Sequence, residues 1–207
     1  MLKIYGRASS INVRKVLWTA VELGLEFEHF PYGDAPLSLR SEEYLQLNPL
    51  GLIPVIVDDG FVLRESNTIC RYLATKHRAS NLLPEQAAQR AEVEMWMDWQ
   101  QTELNTAWRY AFNSLIRNHP AFQQAELLQQ SEQAWNQAML FLEQQLQRTS
   151  AYVCGEVFTL ADVVLGLSLQ RWYSTPIKHP ETPALSQYYD LLAQRAGYQR
   201  YGRNGLP

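Results

Sequence analysis

Short apolar runs alternate with helically spaced apolar positions along residues 1–80 of the chain. Leu2–Tyr5 and Phe27–Phe30 are predicted as strands. Apolar residues fall at helical spacing between residues 13 and 21, and Ser41 opens a second, shorter helix. Together with residues 48–73, the predicted order is strand, helix, strand, helix, strand, strand, helix.

Residues 48–73 read as strand, tight turn, strand and helix, with a proline inside the first strand. Residues 53–57 are apolar and mostly β-branched, as in a buried strand, yet Pro54 can donate no ladder hydrogen bond. The edge that it leaves unpaired is one with which an extended peptide pairs. Glu65 and Ser66 meet the next helix at its start, where a hydroxyl and N–H groups bind a carboxylate and the acid binds an ammonium group. These features together predict a receptor for a small amino acid or peptide.

Beyond a linker at residues 81–84 the pattern is helical. Ala91, Met95 and Trp99 step by four along one predicted helix. Residues 160–173 are apolar nearly all round, which predicts a helix at the centre of this part. One face of another helix is marked by Trp135, Met139, Leu142 and Leu146. We therefore expect an α/β domain over residues 1–80 and an all-helical domain over residues 86–207.

Thr159 and Asp162 stand at the start of the predicted central helix. They match a capping box with Asp in place of Glu, whose loss costs about 1 kcal/mol. We interpret Asp162 as a folding residue, although an acid beside an apolar run resembles a catalyst.

Composition and charge exclude several kinds of partner. The net charge is −3, and the sequence has no basic stripe with interleaved aromatic residues. Both features argue against nucleic acid as the partner. No apolar stretch is long enough to span a bilayer and no signal-peptide pattern opens the chain, so we expect a cytoplasmic protein without a membrane partner. Cys70 and Cys154 stand in apolar contexts without a C-x-x-C pair, which favours buried thiols over a disulfide, and no metal site is predicted. Composition and charge therefore favour a small organic ligand as the partner.

Residues 48–73 resemble the cytosolic glutathione transferase family. The resemblance implies a thioredoxin-like N-terminal domain followed by an all-α domain. It further implies that the backbone of Ile53, the residue before a cis-Pro54, pairs with the cysteinyl unit of glutathione. Glu65 and Ser66 match the acid and serine that bind the γ-glutamyl amino and carboxylate groups. The capping motif extends the resemblance over nearly the whole chain.

Other positions follow from the same resemblance. Arg40 lies where relatives place a basic or polar group for the glycine carboxylate of glutathione. Arg64 departs from the bulky apolar residue common before Glu-Ser in bacterial relatives, which leaves the outer face of this segment open. An apolar second substrate is expected, in a cleft lined by Trp108, Tyr110, Phe112 and Trp172.

The thiolate chemistry is predicted at the start of the first helix. A thiol with a pKa of about 8.5 is only a few per cent ionised at neutral pH, so donors at a helix N-terminus have to stabilise the anion. The segment S-x-N-V-R-K resembles the serine-type and asparagine-using bacterial branches, theta-like or nu-like, and assigns the catalytic sulfur contact to Ser10 and Asn12. Two alternatives stay open: Ser9 or Ser10 is only an N-cap beside a solvated Asn12, or Tyr5 is the donor, as in tyrosine-type relatives.

Two classes of function are compatible with these residues. The first is a homodimeric glutathione transferase of the detoxification type, which presents the thiolate of its co-substrate glutathione to a small apolar electrophile or uses it to reduce a disulfide. The second is a non-catalytic binding or regulatory protein that keeps the same fold. The joint presence of five expected site residues favours the enzyme; they are Ser10, Asn12, Pro54, Glu65 and Ser66.

Overall fold

The computed structural model describes residues 1–207 and begins with a four-stranded sheet. The strands are β1 (Leu2–Tyr5), β2 (Phe27–Phe30), β3 (Val55–Asp58) and β4 (Phe61–Arg64), in the order β2-β1-β3-β4. β2 runs parallel to β1, whereas β3 and β4 are antiparallel to their neighbours. The predicted strands are confirmed, with one correction: Pro54 lies just before β3 and not inside it. β3 pairs on both sides, so a residue without an N–H is excluded from it.

Three helices accompany the sheet: α1 (Ile11–Glu22), α2 (Glu42–Leu47) and α3 (Ser66–Lys76). Successive strand residues face opposite sides, so Ile4 and Ile56 join α1 and α3 in the main core. Tyr5 and Val55 face the other side, where they pack with Tyr32 and Tyr44 in a small aromatic cluster. This is the predicted thioredoxin-like arrangement.

The rest of the chain is helical. A π-helical turn at Gln100–Leu104 joins the first two of these helices, and a short 3-10 turn at Pro120–Phe122 follows the second. The helices are α4 (Ala87–Trp99), α5 (Asn105–Leu115), α6 (Ala125–Thr149), α7 (Leu160–Tyr173), α8 (Pro183–Leu192) and α9 (Ala196–Tyr201). Every residue of α7 from 160 to 172 is buried, which confirms the predicted central helix. None of the helices is long and apolar enough to cross a membrane.

The apolar stripe predicted on α4 faces the core only in part. Met95 is 57% exposed, and the buried residues of α4 are Val93, Trp96 and Met97. A spacing of four identifies one face of a helix, and it does not say whether protein or solvent covers that face. Met95 therefore faces outward, whereas Trp99 packs partly against the core.

The sheet and the helical part share one core of 39 residues. The ring of Trp18 in α1 lies 4.9 Å from that of Tyr198 in α9 and 5.7 Å from that of Phe158. A Cβ on Gly197 would lie 2.2 Å from this indole, so only glycine lets α9 pack there. α1 thus fixes the two parts in one orientation. The domain limits at residues 80 and 86 stay a prediction.

Asp162 holds the start of α7. Its carboxylate accepts hydrogen bonds from the Thr159 N–H (2.8 Å), the Thr159 hydroxyl (3.1 Å), the Val153 N–H (2.9 Å) and the Tyr188 hydroxyl (2.9 Å). Complete burial raises its pKa, and the hydrogen bonds oppose that effect. The predicted folding role is confirmed, and the carboxylate also ties α7 to α8 and to the preceding loop.

Candidate functional site

The sheet register brings three separate segments to one edge. Tyr5 pairs with Val55, and Val55 pairs with Arg64. The loop after β1, the residues before β3 and the residues after β4 therefore emerge side by side. The predicted glutathione residues lie in these three segments, although they are far apart in the sequence.

Gly6 makes the contact between two of these segments. Its φ of +137° suits glycine, and a Cβ there would lie 2.6 Å from Val13 Cγ2 and 2.9 Å from Ile53 Cβ. The loop that leads into α1 therefore packs directly on the segment before Pro54. Any side chain at this position would push the two segments apart.

Ile53 presents a free stretch of backbone. It precedes a cis peptide bond to Pro54, and its N–H and C=O form no hydrogen bond within the chain. The preceding loop is fixed, because Tyr44 Oη (2.7 Å) and Asn48 Nδ2 (2.8 Å) both donate to the carbonyl of Leu52. The result is a held strand edge that can pair with an extended ligand.

Glu65 and Ser66 stand at the N-terminus of α3. Glu65 occupies the N-cap position with a φ of +72°, and its exposed carboxylate accepts no bond from the chain. Ser66 is the first residue of the helix, is buried, and has a hydroxyl without an intramolecular partner. A hydroxyl at a helix N-terminus, which can bind an anion, thus lies next to a carboxylate, which can bind a cation. Neither group is engaged within the chain.

Ser10 and Asn12 stand at the N-terminus of α1. Ser10 is the N-cap residue, yet its side chain makes no capping hydrogen bond. The Oδ1 atom of Asn12 is buried without a partner, and its amide nitrogen donates to no group of the chain. The N–H groups of the first turn are also unpaired. Unengaged hydroxyl, amide and backbone groups therefore lie together at the N-terminus of α1.

Tyr5 faces away from this point. Its ring stacks on Phe30 at 5.0 Å and lies 5.7 Å from Tyr32, on the opposite side of the sheet from α1. Desolvation, with smaller contributions from Glu43 and Glu28, raises the pKa of its hydroxyl. The geometry favours Ser10 and Asn12 over Tyr5 as donors to a sulfur.

Two arginines flank the loop before β3. Arg40 lies over Gly51, with Nη1 2.9 Å from where a Cβ would stand. Arg64 donates from Nη1 to Asn48 Oδ1 at 3.4 Å. The residue that departs from bacterial relatives thus links β4 to this loop.

The four predicted cleft aromatics do not form one lining. Trp172 is fully buried, with its indole N–H bonded to Asn136 at 3.0 Å, so the prediction that it lines a cleft is wrong. Tyr110 packs on Phe122 and accepts a bond from the Gln124 N–H. Phe112 is also buried, so the prediction is wrong for it too, and it packs edge to face with Trp108 at 5.4 Å. Trp172 was misplaced because an aromatic residue at helical spacing fits a core as well as a pocket.

Sequence reasoning missed a buried lysine under the site. Lys15 of α1 donates to Asn67 Oδ1 (3.2 Å) on α3 and to Gln100 Oε1 (2.6 Å) in the π-helical turn. Burial lowers its pKa to about 7, and nearby Arg171 and Arg71 act in the same direction. This network links the two helices that carry Ser10 and Ser66. A lysine between apolar positions in α1 is the only signal in the sequence.

Family models match most of the chain. Residues 9–76 match the glutathione S-transferase N-terminal domain and residues 103–196 match the C-terminal domain. The fold is similar to that of the theta-class glutathione S-transferase from Xanthomonas axonopodis pv. citri, solved with glutathione bound. The TM-score is 0.90 and the identity 32%, over 100% of this chain and 99% of that one. The chain belongs to the glutathione S-transferase family.

Other family members are similarly related to it. Glutathione S-transferase GstB of Escherichia coli K12 is 29% identical over 202 residues, which cover 97% of each chain. Glutathione S-transferase 3 of Zea mays is 29% identical over 96% of this chain and 92% of its own. The family and the fold expected from residues 48–73 are thereby confirmed.

Proposed function

We infer that the protein is a glutathione transferase that holds the glutathione thiolate at the N-terminus of α1. The observation that carries this conclusion is the meeting of three segments with unengaged binding groups at one sheet edge. The free backbone of Ile53 pairs with the cysteinyl unit, and Glu65 and Ser66 receive the γ-glutamyl amino and carboxylate groups. Arg40 attracts the glycine carboxylate.

Ser10 and Asn12 then act as the catalytic donors. Lowering the thiol pKa by about two units requires roughly 2.7 kcal/mol of differential stabilisation of the anion. Two side-chain donors and the first-turn N–H groups supply interactions of this size. Since neither side chain serves the fold, both donors are available when the thiolate forms.

The test is an ultraviolet titration of the thiolate in the glutathione complex. Ser10→Ala and Asn12→Ala should each raise the pKa of bound glutathione by part of the total shift. Binding of S-methylglutathione, which has no thiolate, should stay nearly unchanged and serves as the control. A shift confined to Tyr5→Phe would move the chemistry to tyrosine. No shift in any variant would leave the backbone donors as the only sulfur ligands.

The non-catalytic alternative makes a different prediction. Retention on immobilised glutathione without turnover of any electrophile or disulfide would favour a binding protein. The unengaged donors at Ser10 and Asn12 support the enzyme, because a protein that only bound glutathione would have no need of them.

A two-fold homodimer accompanies the proposed function. Each part of the chain has an exposed apolar surface: Leu52 (58% exposed) and Phe61 (49%) on one, Met95 (57%) and Phe141 (48%) on the other. Pairing of these surfaces across a two-fold axis covers both at once. Sedimentation of the wild type as a dimer, and of Phe141→Glu as a monomer, would support this arrangement. A cytoplasmic location stays a prediction.

A further inference from the structure

Arg171, near the end of α7, is a buried cation without a partner. It is 3% exposed, and its guanidinium lies 4.5 Å from the ring of Trp108 and 4.1 Å from that of Phe112. Its Nε atom is buried and unsatisfied, and the side chain takes part in no hydrogen bond or salt bridge. The two rings that were predicted to line the cleft therefore support an arginine.

The charged neighbours of Arg171 are also cations. Burial lowers its pKa well below the usual value, and Arg14 of α1 and Arg117, just beyond α5, act in the same direction. The guanidinium of Arg117 lies 5.2 Å from the Phe112 ring. Arg117 in turn has Arg7 as a cationic neighbour. No Asp or Glu side chain pairs with any of these four arginines.

Arg14 is engaged by the end of the chain. Its guanidinium donates to the carbonyl of Leu206 at 3.2 Å and to the backbone oxygen of Pro207 at 2.7 Å. These bonds occupy both terminal nitrogens of Arg14 and leave only its Nε without a partner, whereas the Arg171 side chain has no acceptor at all. Arg171 is thus the cation of the cluster that a ligand can engage most completely.

This cluster lies next to the sulfur-binding end of α1. The N–H of Arg14 donates to the Ser10 carbonyl at 3.0 Å, and Arg7 belongs to the loop that leads to Ser10. Trp108, Arg117 and Arg171 belong to the helical part. The charge of Arg7 acts on that of Arg117, so the loop before Ser10 lies close to this cluster.

A buried, unpaired cation is costly, and perturbed, desolvated charges cluster at functional sites. We propose that the second substrate carries a carboxylate or a comparable anion, which Arg171 binds directly while Arg117 and Arg7 attract it at the opening. The proposal rests on the proposed function and replaces a purely apolar acceptor with an anionic one. An arginine whose guanidinium contacts two packed rings presents a fixed fork of donors to a carboxylate.

Iodoacetate serves as the probe of this specificity. The glutathione thiolate attacks the iodine-bearing carbon, a C–S bond forms, and iodide leaves with the electron pair of the C–I bond. The thiol proton passes to solvent when the thiolate forms. Iodoacetamide undergoes the same reaction without the carboxylate, so the two reagents differ mainly in charge.

Binding of the two products tests the proposal without requiring turnover. Calorimetry should show that the full-length wild type binds S-(carboxymethyl)glutathione more tightly than S-(carbamidomethyl)glutathione. In Arg171→Met that preference should fall by about 10- to 100-fold, the scale of a charge-assisted hydrogen bond. Arg109→Gln, an exposed arginine of α5 whose side chain binds nothing, is the matched control and should keep the preference.

Steady-state rates give the second measurement. The ratio of kcat/KM for iodoacetate to that for iodoacetamide should fall by about 10- to 100-fold in Arg171→Met. Arg117→Gln should lower the ratio by about 2- to 5-fold, because a more exposed charge is screened. The second variant keeps the proposal testable if the first does not fold.

Three outcomes would overturn the proposal. Equal affinity of the wild type for both products would remove the anion site. An equal loss for both reagents in Arg171→Met would indicate a packing role only. A loss of glutathione affinity of the same size would assign the cluster to glutathione. Failure of the wild type to bind glutathione or either product would instead refute the proposed function itself.

Discussion

The two ends of α7 hold two buried charges of opposite kinds. Asp162, at the first turn, has no exposed surface, and donors from the helix start, the preceding loop and α8 surround its carboxylate. Arg171, at the last turn, is almost as buried, and nothing within the chain satisfies it. A buried charge with a complete set of partners belongs to the fold. A buried charge without partners is available to a ligand.

The largest expected effect concerns Asp162, the buried charge whose hydrogen-bond partners are all present. Asp162→Ala removes the acceptor of several buried donors at once and should lower the free energy of unfolding by about 3–5 kcal/mol. Urea denaturation measures this change. The control is Asp190→Ala, at an exposed ion pair with Arg203, which should change stability by less than about 1 kcal/mol. A loss as small as that of the control would end the contrast between the two ends.

An exposed acid should behave in the opposite way to Asp162. Glu65→Ala should leave stability nearly unchanged and weaken glutathione binding by about 1.5–3 kcal/mol, since a charge-assisted hydrogen bond to the ammonium group is lost. Calorimetry of glutathione binding measures the effect. Unchanged affinity would remove Glu65 from the site and return the binding-protein alternative to consideration.

Lys15 provides an intermediate case, a buried cation with neutral acceptors only. Its folded pKa of about 7 lies below the usual value of 10.5. Between these values the unfolded chain binds more protons, so stability rises with pH by up to about 1.4 kcal/mol for each pH unit. This contribution is complete above the unfolded pKa and is lost as the pH falls towards 7.

Lys15→Met should remove that slope. Urea denaturation of wild type and variant at pH values from about 7 to 9 measures the difference in slope, which is independent of the packing changes that the substitution makes. Parallel curves would show that Lys15 stays charged through the window.

The smallest expected effect concerns Arg171, the buried charge without a hydrogen-bond partner. Arg171→Met should leave the free energy of unfolding unchanged or raise it by about 1 kcal/mol, because it removes an uncompensated charge and keeps apolar contact with two rings. Thermal and urea denaturation both report it. A loss of more than about 2 kcal/mol would class Arg171 with Asp162 as a folding residue.

The glutathione half could be predicted from the sequence because its signals are local. A proline beside a β-branched strand, and Glu-Ser at a helix start, are visible within a few residues, and the register brings them together. Arg171 gave no such signal. A cation in the last turn of a helix reads as a complement to the dipole, and only the packing of α1, α5 and α7 removes its counter-ions. The role of Met95 likewise depends on which face the fold covers.

The π-helical turn at Gln100–Leu104 sets the rotational phase of α5 relative to α4. One extra residue in a turn rotates the downstream helix by about 100° relative to the upstream one. Along this nearly continuous helix, α4 therefore presents Met95 outward, and α5 turns Trp108 and Phe112 towards Arg171. Deletion of a single residue in this turn would keep nearly every side chain and rotate Trp108 and Phe112 by about 100° away from Arg171, so the proposed acceptor specificity depends on helix phase as well as on residue identity.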